Sequence, residues 1–275
     1  MTPLDLVSVY APLGSNLDDE LRDALQDRTA RDTIRRVHLG GGTAPGFINS
    51  VISSIITKGE EPRSSSVESI ILLNGDSWVT VDISAFFSRY RFPKLKCVRL
   101  VGCGISPWDL LEPRAVALTA LELGALSPTP TLPKLLSILP SNPLLQDLVL
   151  SCGSSPRVVV SQKSTPRVPL RHLKKLQLRS GFPHAFWFLN WLEHPNKMDR
   201  LGLFLDGCSA SDLSQTLGPY LGDLIRRRGG FPGGGLGLSA SHSSDAFYIQ
   251  TGDARKGNDS AEVDWFVGVT AVMGA

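Results

Sequence analysis

Apolar residues recur through the middle of the chain in one short arrangement: an apolar residue, two of any kind, a second apolar residue, one of any kind, and a third. It reads Ile34-x-x-Val37-x-Leu39, Val67-x-x-Ile70-x-Leu72, Leu95-x-x-Val98-x-Leu100 and Leu118-x-x-Leu121-x-Leu123. It continues as Leu145-x-x-Leu148-x-Leu150, Leu173-x-x-Leu176-x-Leu178 and Met198-x-x-Leu201-x-Leu203. The last apolar positions are separated by 33, 28, 23, 27, 28 and 25 residues. Leucine is common, so one such match carries nothing, whereas seven in series at similar spacing do. The closing part of each copy alternates with period two, which predicts a half-buried strand. The leading apolar residue folds beneath that strand. Between copies, Phe47–Thr57, Val81–Tyr90, Leu132–Leu139 and His184–Glu193 have helix character.

Strands joined through return helices are parallel, and the crossover is right-handed. Strands stack about 4.8 Å apart while helices need about 10 Å, so such an array curves. The repeat interval falls mostly within the roughly 20–29 residues of leucine-rich repeats. The expected fold class is α/β: a leucine-rich-repeat solenoid with a curved parallel sheet on the concave side, helices on the convex side and a small C-terminal β cap. Its stability is collective, because no repeat buries its apolar face alone. The Asn or Cys that usually closes the turn three residues after the last strand Leu is mostly missing. Only Cys103 fits; Gly42, Gly75, Leu126, Gly153, Gly181 and Asp206 stand elsewhere.

Three regions are expected. Residues 1–33 form an N-terminal helical cap or incomplete repeat: Leu4, Leu6 and Val9 suit an edge strand, and Ser15-Asn16-Leu17-Asp18-Asp19-Glu20 opens a helix with acids in its first turn. Residues 34–228 form the solenoid, ending in the longest helix candidate, Ser211–Arg228, with the stripe Leu213, Leu217, Tyr220, Leu221 and Leu224. Arg226-Arg227-Arg228 before Gly229-Gly230 reads as a helix C-terminus. Residues 229–275 are a Gly-rich linker and strands at Leu236–Ser239, Ala246–Gln250 and Val263–Val272, suited to closing an exposed edge.

Composition narrows the chemistry. The chain has 275 residues, 42 % of them hydrophobic, with 28 basic and 26 acidic side chains for a net charge of +2. That balance excludes a strongly basic nucleic-acid binder and a highly charged disordered chain. The N-terminus lacks the basic and apolar regions of a secretory signal, and the late apolar stretch Phe266–Ala275 is far short of the ~20 residues that span a bilayer. Four cysteines, Cys97, Cys103, Cys152 and Cys208, are too few for a disulfide scaffold and lack zinc-knuckle spacing. The expected protein is intracellular, cytoplasmic or nuclear, with no metal, no cofactor, no membrane and no nucleic acid.

The most enzyme-like segment is the strand Ile34–Leu39 running into Gly40-Gly41-Gly42-Thr43-Ala44-Pro45-Gly46. A Gly-rich loop before a helix can cradle phosphate, and Asp76 follows the next strand. The dinucleotide fingerprint nevertheless fails: no Gly-x-Gly-x-x-Gly can be read through Thr43 and Pro45, and Asp76 lies 36 residues after Gly40 rather than about 20. A turn inside one repeat is the preferred reading, with an α/β enzyme binding a nucleotide or phosphate there as the alternative. No nucleophile elbow or P-loop is present, and no catalytic residue is assigned. Arg171-His172-Leu173-Lys174-Lys175 reads as a solvated face, and Phe186, Trp187, Phe188 and Trp191 read as packing beneath the helical layer.

Function is expected on the concave strip, at the positions between the buried apolar residues. The partner-binding candidates are Arg36, His38, Arg99, Glu122, Asp147, Lys175, Gln177 and Arg200. This strip is basic at both ends and acidic near Glu122 and Asp147, and neighbouring rungs are close enough for part of the charge to be self-paired. A broad mixed-charge strip favours a protein partner over a small molecule.

The run from Ile34 to Cys208 resembles the degenerate leucine-rich repeats of fungal, mushroom-type F-box-like proteins. The segments that carry the resemblance are Leu95-Lys-Cys-Val-Arg-Leu-Val-Gly-Cys103, Leu144-Leu-Gln-Asp-Leu-Val-Leu150 and Leu170-Arg-His-Leu-Lys-Lys-Leu-Gln-Leu178. The opening Pro3-Leu4-Asp5-Leu6 and the strand Ile34-Arg-Arg-Val-His-Leu39 are similar to the stretch that follows the F-box there. The resemblance implies a non-catalytic substrate-recognition arm of a cullin-type ubiquitin ligase. The F-box helices that would bind the ligase adaptor are not found and would precede Met1; a truncated gene product without activity is the further reading.

Overall fold

A computed structural model describes residues 4–8, 34–40, 63–64, 66–74, 81–106, 118–130, 132–151, 167–193, 198, 200–206, 210–227, 234–241 and 246–253. The chain forms two compact units, Met1–Leu145 and Gln146–Ala275. Both are mixed α/β, built on parallel strands with helices between them.

In the first unit, strands β1 (Leu4–Ser8), β2 (Ile34–Gly40), β3 (Ser69–Leu73), β4 (Cys97–Val101) and β5 (Ala120–Gly124) lie side by side in chain order, all parallel. In the second, β6 (Asp147–Ser151), β7 (Lys175–Gly181) and β8 (Arg200–Asp206) do the same. The hairpin β9 (Gly234–Ser241) and β10 (Ala246–Asp253) completes that sheet, with β10 antiparallel to β8 and β9 outermost. Each copy of the sequence pattern therefore supplies one strand. The expected edge strand near Leu4 pairs with β2, and the two C-terminal strands that are described cover the edge of β8.

The apolar positions form the core. All three in all seven copies are buried, none more than 4 % exposed. Burial of each contributes roughly 1.5–3 kcal/mol. The leading apolar residue is fixed by a recurring backbone contact just after it. The Lys96 carbonyl accepts the N–H groups of Thr119 and Ala120, the Glu68 carbonyl those of Lys96 and Cys97, and the Gln146 carbonyl those of Lys174 and Lys175. A tight turn sets up this entry: Leu95, Leu145 and Leu173 each donate N–H to a carbonyl three residues back, from Phe92, Asn142 and Leu170.

Shorter parallel ladders lie between the main strands. Val81–Asp82 pairs with Cys103–Gly104 and Arg63–Ser64 with Tyr90–Arg91 in the first unit; Val168–Pro169 pairs with Leu192–Glu193 in the second. Helices α1 (Ser84–Arg89) and α2 (Leu132–Ile138) belong to the first unit, α3 (Phe182–Trp191) and α4 (Gly218–Arg227) to the second. Beside α1, Phe86, Phe87 and Phe92 form a buried cluster with ring centroids 5.1–5.7 Å apart. The expected helix at Phe47–Thr57, the expected N-terminal helix and the strand at Val263–Val272 lie outside the described residues.

Two details differ from the sequence expectation. The helix expected over Ser211–Arg228 is not uniform: a short α-turn at Ala210–Asp212 runs into a π-helical segment, Leu213–Leu217, before α4. The cause is Pro219 near the start of α4, which lacks an N–H and crowds the carbonyl four residues back; the wider π spacing relieves both. The turn after β3 is closed by Asn74, one residue before Gly75, where the pattern places the closing Asn or Cys and this chain lacks it. Asn74 is buried, and its side-chain amide donates to the Gly102 carbonyl at 3.0 Å while its N–H donates to the Val101 carbonyl. Gly102 has φ +68°, and a Cβ there would lie 2.3 Å from the Asn74 carbonyl oxygen, so only glycine fits. Cys103, expected at this turn, is buried; its thiol lies 3.5 Å from the Val101 carbonyl oxygen and 3.7 Å from that of Leu72.

Candidate binding surface on the sheet

Alternation along each strand turns one set of side chains into the core and the other outward, and the register lines the outward set into rungs. In the first unit Arg36, Ser69, Cys97 and Ala120 form one rung, and His38, Ile71, Arg99 and Glu122 the next. In the second unit one rung is Asp147, Lys175 and Arg200; the next is Val149, Gln177 and Gly202, with Gln250 abreast of Gly202. The candidates Arg36, His38, Arg99 and Glu122 thus share one sheet face, and Asp147, Lys175, Gln177 and Arg200 share the face of the other unit.

Local chemistry differs along these rungs. The Arg99 guanidinium lies 3.6 Å from the Glu122 carboxylate, with the two side chains 46 % and 29 % exposed. The expected self-pairing is present here, and an exposed pair of this kind contributes only about 0–1 kcal/mol. His38 Nε2 and Ser69 Oγ are 2.9 Å apart across adjacent strands. At the strand entry, Lys96 donates to Glu68 at 3.2 Å, which with the nearby charge holds the Glu68 carboxyl below its usual range. In the second unit, Lys175, Arg179 and Arg200 stand on the outward face without an ion pair among the described residues.

Several residues carry less, or something other, than their sequence pattern suggested. Cys97 is half-buried on the outward face between Ser69 and Ala120, whereas Cys103 is in the core and its thiol is pushed by burial from 9.0 to about 12. Arg171, His172 and Lys174 are exposed around the turn before β7, with Leu173 buried among them. On α3, Phe182, Ala185, Phe188 and Leu189 are buried, while Phe186, Trp187 and Trp191 are half-buried. Phe186 meets the Tyr220 ring edge-on at 5.7 Å, and Tyr220 donates to the Leu189 carbonyl at 3.0 Å. Leu73, 38 % exposed, and half-buried Val101 extend the outward face of the first unit with apolar surface. Sequence reasoning passed over both because they lie beyond the repeated pattern; continuing the period-two alternation by one step finds them. Of the loop Gly40–Gly46, Gly40 alone is described. It closes against β3, where a Cβ would come 2.8 Å from that of Leu73.

Among the described residues, no helix is long and apolar enough to cross a membrane, and no group of His, Cys, Asp and Glu is arranged to hold a metal. No protein-family model, curated protein or solved structure matches the chain.

Proposed function

We propose that the chain is a non-catalytic protein–protein interaction module, a leucine-rich-repeat solenoid whose outward sheet face binds a protein partner. The observation that carries this reading is the rung-for-rung parallel register of strands supplied one per repeat, each with its apolar triplet buried. The short parallel ladders on the return path support it, because they continue the repeat beyond the main strands. A broad face of alternating charged, polar and apolar side chains suits recognition by complementarity. By its resemblance to fungal F-box-like proteins, the module serves as a substrate-recognition arm of a cullin-type ubiquitin ligase, positioning a substrate while the transfer chemistry takes place on other subunits.

A photo-crosslinking residue placed at Gln177 on the face, and separately at exposed Lys94 beside a turn, tests the module in native extract. The reading expects protein adducts at Gln177 that Lys94 does not give; identical adducts at both positions, or none at Gln177, overturn it. The ligase assignment has its own test, the natural transcript sequenced upstream of Met1. An in-frame F-box supports it, and an in-frame stop immediately upstream removes it.

A further inference from the structure

We propose that the segment bound by this face is acidic, and that Lys175, Arg179 and Arg200 of the second unit hold it. The inference rests on the reading of the sheet face as the binding surface and names the chemistry of its partner.

The two units treat their cations differently. In the first, Arg99 is met by Glu122 and Lys96 by Glu68. In the second, the face between the rung Asp147–Lys175–Arg200 and the rung Ser151–Arg179–Phe204 holds three cations and one carboxylate. No ion pair joins any of those cations to a carboxylate among the described residues. Lys175 has Asp147 abreast of it on one side and Arg200 on the other, so two cations stand abreast on strands about 4.8 Å apart with one carboxylate to offset their repulsion in part. An anionic group seated over the pair turns this repulsion into attraction. Arg179 lies four positions along β7 from Lys175, about 13 Å away; half-buried Val149 and Gln177 lie on the rung between them, and half-buried Phe204 stands abreast of Arg179. An extended segment with acids roughly four residues apart and an apolar residue between them matches this spacing. A nucleic acid fits less well: three cations fall short of the roughly 6–10 phosphate contacts of a typical site, and the net charge is only +2.

The test uses the full chain and a short fluorescein-labelled peptide rich in Asp and Glu with interspersed Leu, read by fluorescence anisotropy. The amide counterpart, with Asn and Gln for every acid, and a single-stranded oligonucleotide serve as comparisons. The acidic peptide is expected to bind more tightly than the amide one and to weaken as salt rises. Lys175→Gln and Arg200→Gln each lower its affinity about fivefold, while Lys94→Gln, at the exposed turn off the face, leaves it unchanged. Lys175→Gln is expected to leave the melting temperature nearly unchanged, because it removes a like-charge neighbour, Arg200, together with an opposite-charge one, Asp147, and no ion pair, so lost binding is not lost folding. Equal affinity for the acidic and amide peptides, an equal effect of Lys94→Gln, or tighter binding of the oligonucleotide overturns the proposal. If Gln177 crosslinks protein partners that lack acidic segments, the face remains the binding surface and only the acidic assignment falls.

Discussion

The turn after β3 concentrates consequences in a few side chains. Gly102→Ala combines a positive φ with a Cβ driven toward the Asn74 carbonyl oxygen, and is expected to cost at least ~2 kcal/mol in urea unfolding. Asn74→Ala leaves the Gly102 carbonyl without its side-chain donor and is expected to cost about 1–3 kcal/mol by the same measurement. Cys103 links this turn to pH. The unfolded thiol ionises near 9.0 and the folded one at about 12, so its contribution to stability is whole below pH 9 and is lost as pH rises toward 12. Denaturant midpoints measured across that interval are expected to fall more steeply for the native chain than for Cys103→Ala. Cys103 was legible as a turn residue because it stands at a fixed offset from Leu100. Asn74 was not, because it sits one residue nearer its strand than Cys103 does, and only the backbone path through Gly102 shows the two meeting.

Strands were far more legible than the segments between them. A strand needs only period-two alternation and a buried residue before it, and the seven triplets supply both. The connectors carry no such fixed pattern: α1 is shorter than the stretch expected for it, α2 runs on through a 3-10 turn at Leu139–Ser141, and the helix near Ser211 is reshaped by one proline. The candidate surface was legible to the same extent as the strands. The pattern placed Arg36, His38, Lys175 and the rest outward, but which charges meet depends on rotamers, so the Arg99–Glu122 contact and the open cations of β7 and β8 needed coordinates. Leu176, at 0 % exposure in the middle of β7, tests the shared core: Leu176→Ala is expected to cost about 2–5 kcal/mol in chemical denaturation. Tyr220→Phe, which removes the hydroxyl bonded to the Leu189 carbonyl, is expected to cost only about 1 kcal/mol.

Across the chain, protection from exchange should follow strand position within each unit. Strands β3, β4 and β7 have partners on both sides, whereas among the described residues β1 and β9 have a partner on one side. Native-state hydrogen exchange is therefore expected to be slowest at amides such as those of Ile70, Val98 and Leu176 and faster along β1 and β9. The strands meet rung for rung although the intervals between their last apolar residues range from 23 to 33. Length change is thereby confined to connectors, and the sheet registers no shift when one of them grows or shrinks. In a gene, an insertion or deletion that keeps the reading frame and falls between two triplets leaves every outward side chain beside its old neighbours. Descendants of such a gene can drift widely in length and in connector sequence while inheriting the same arrangement of side chains on the sheet.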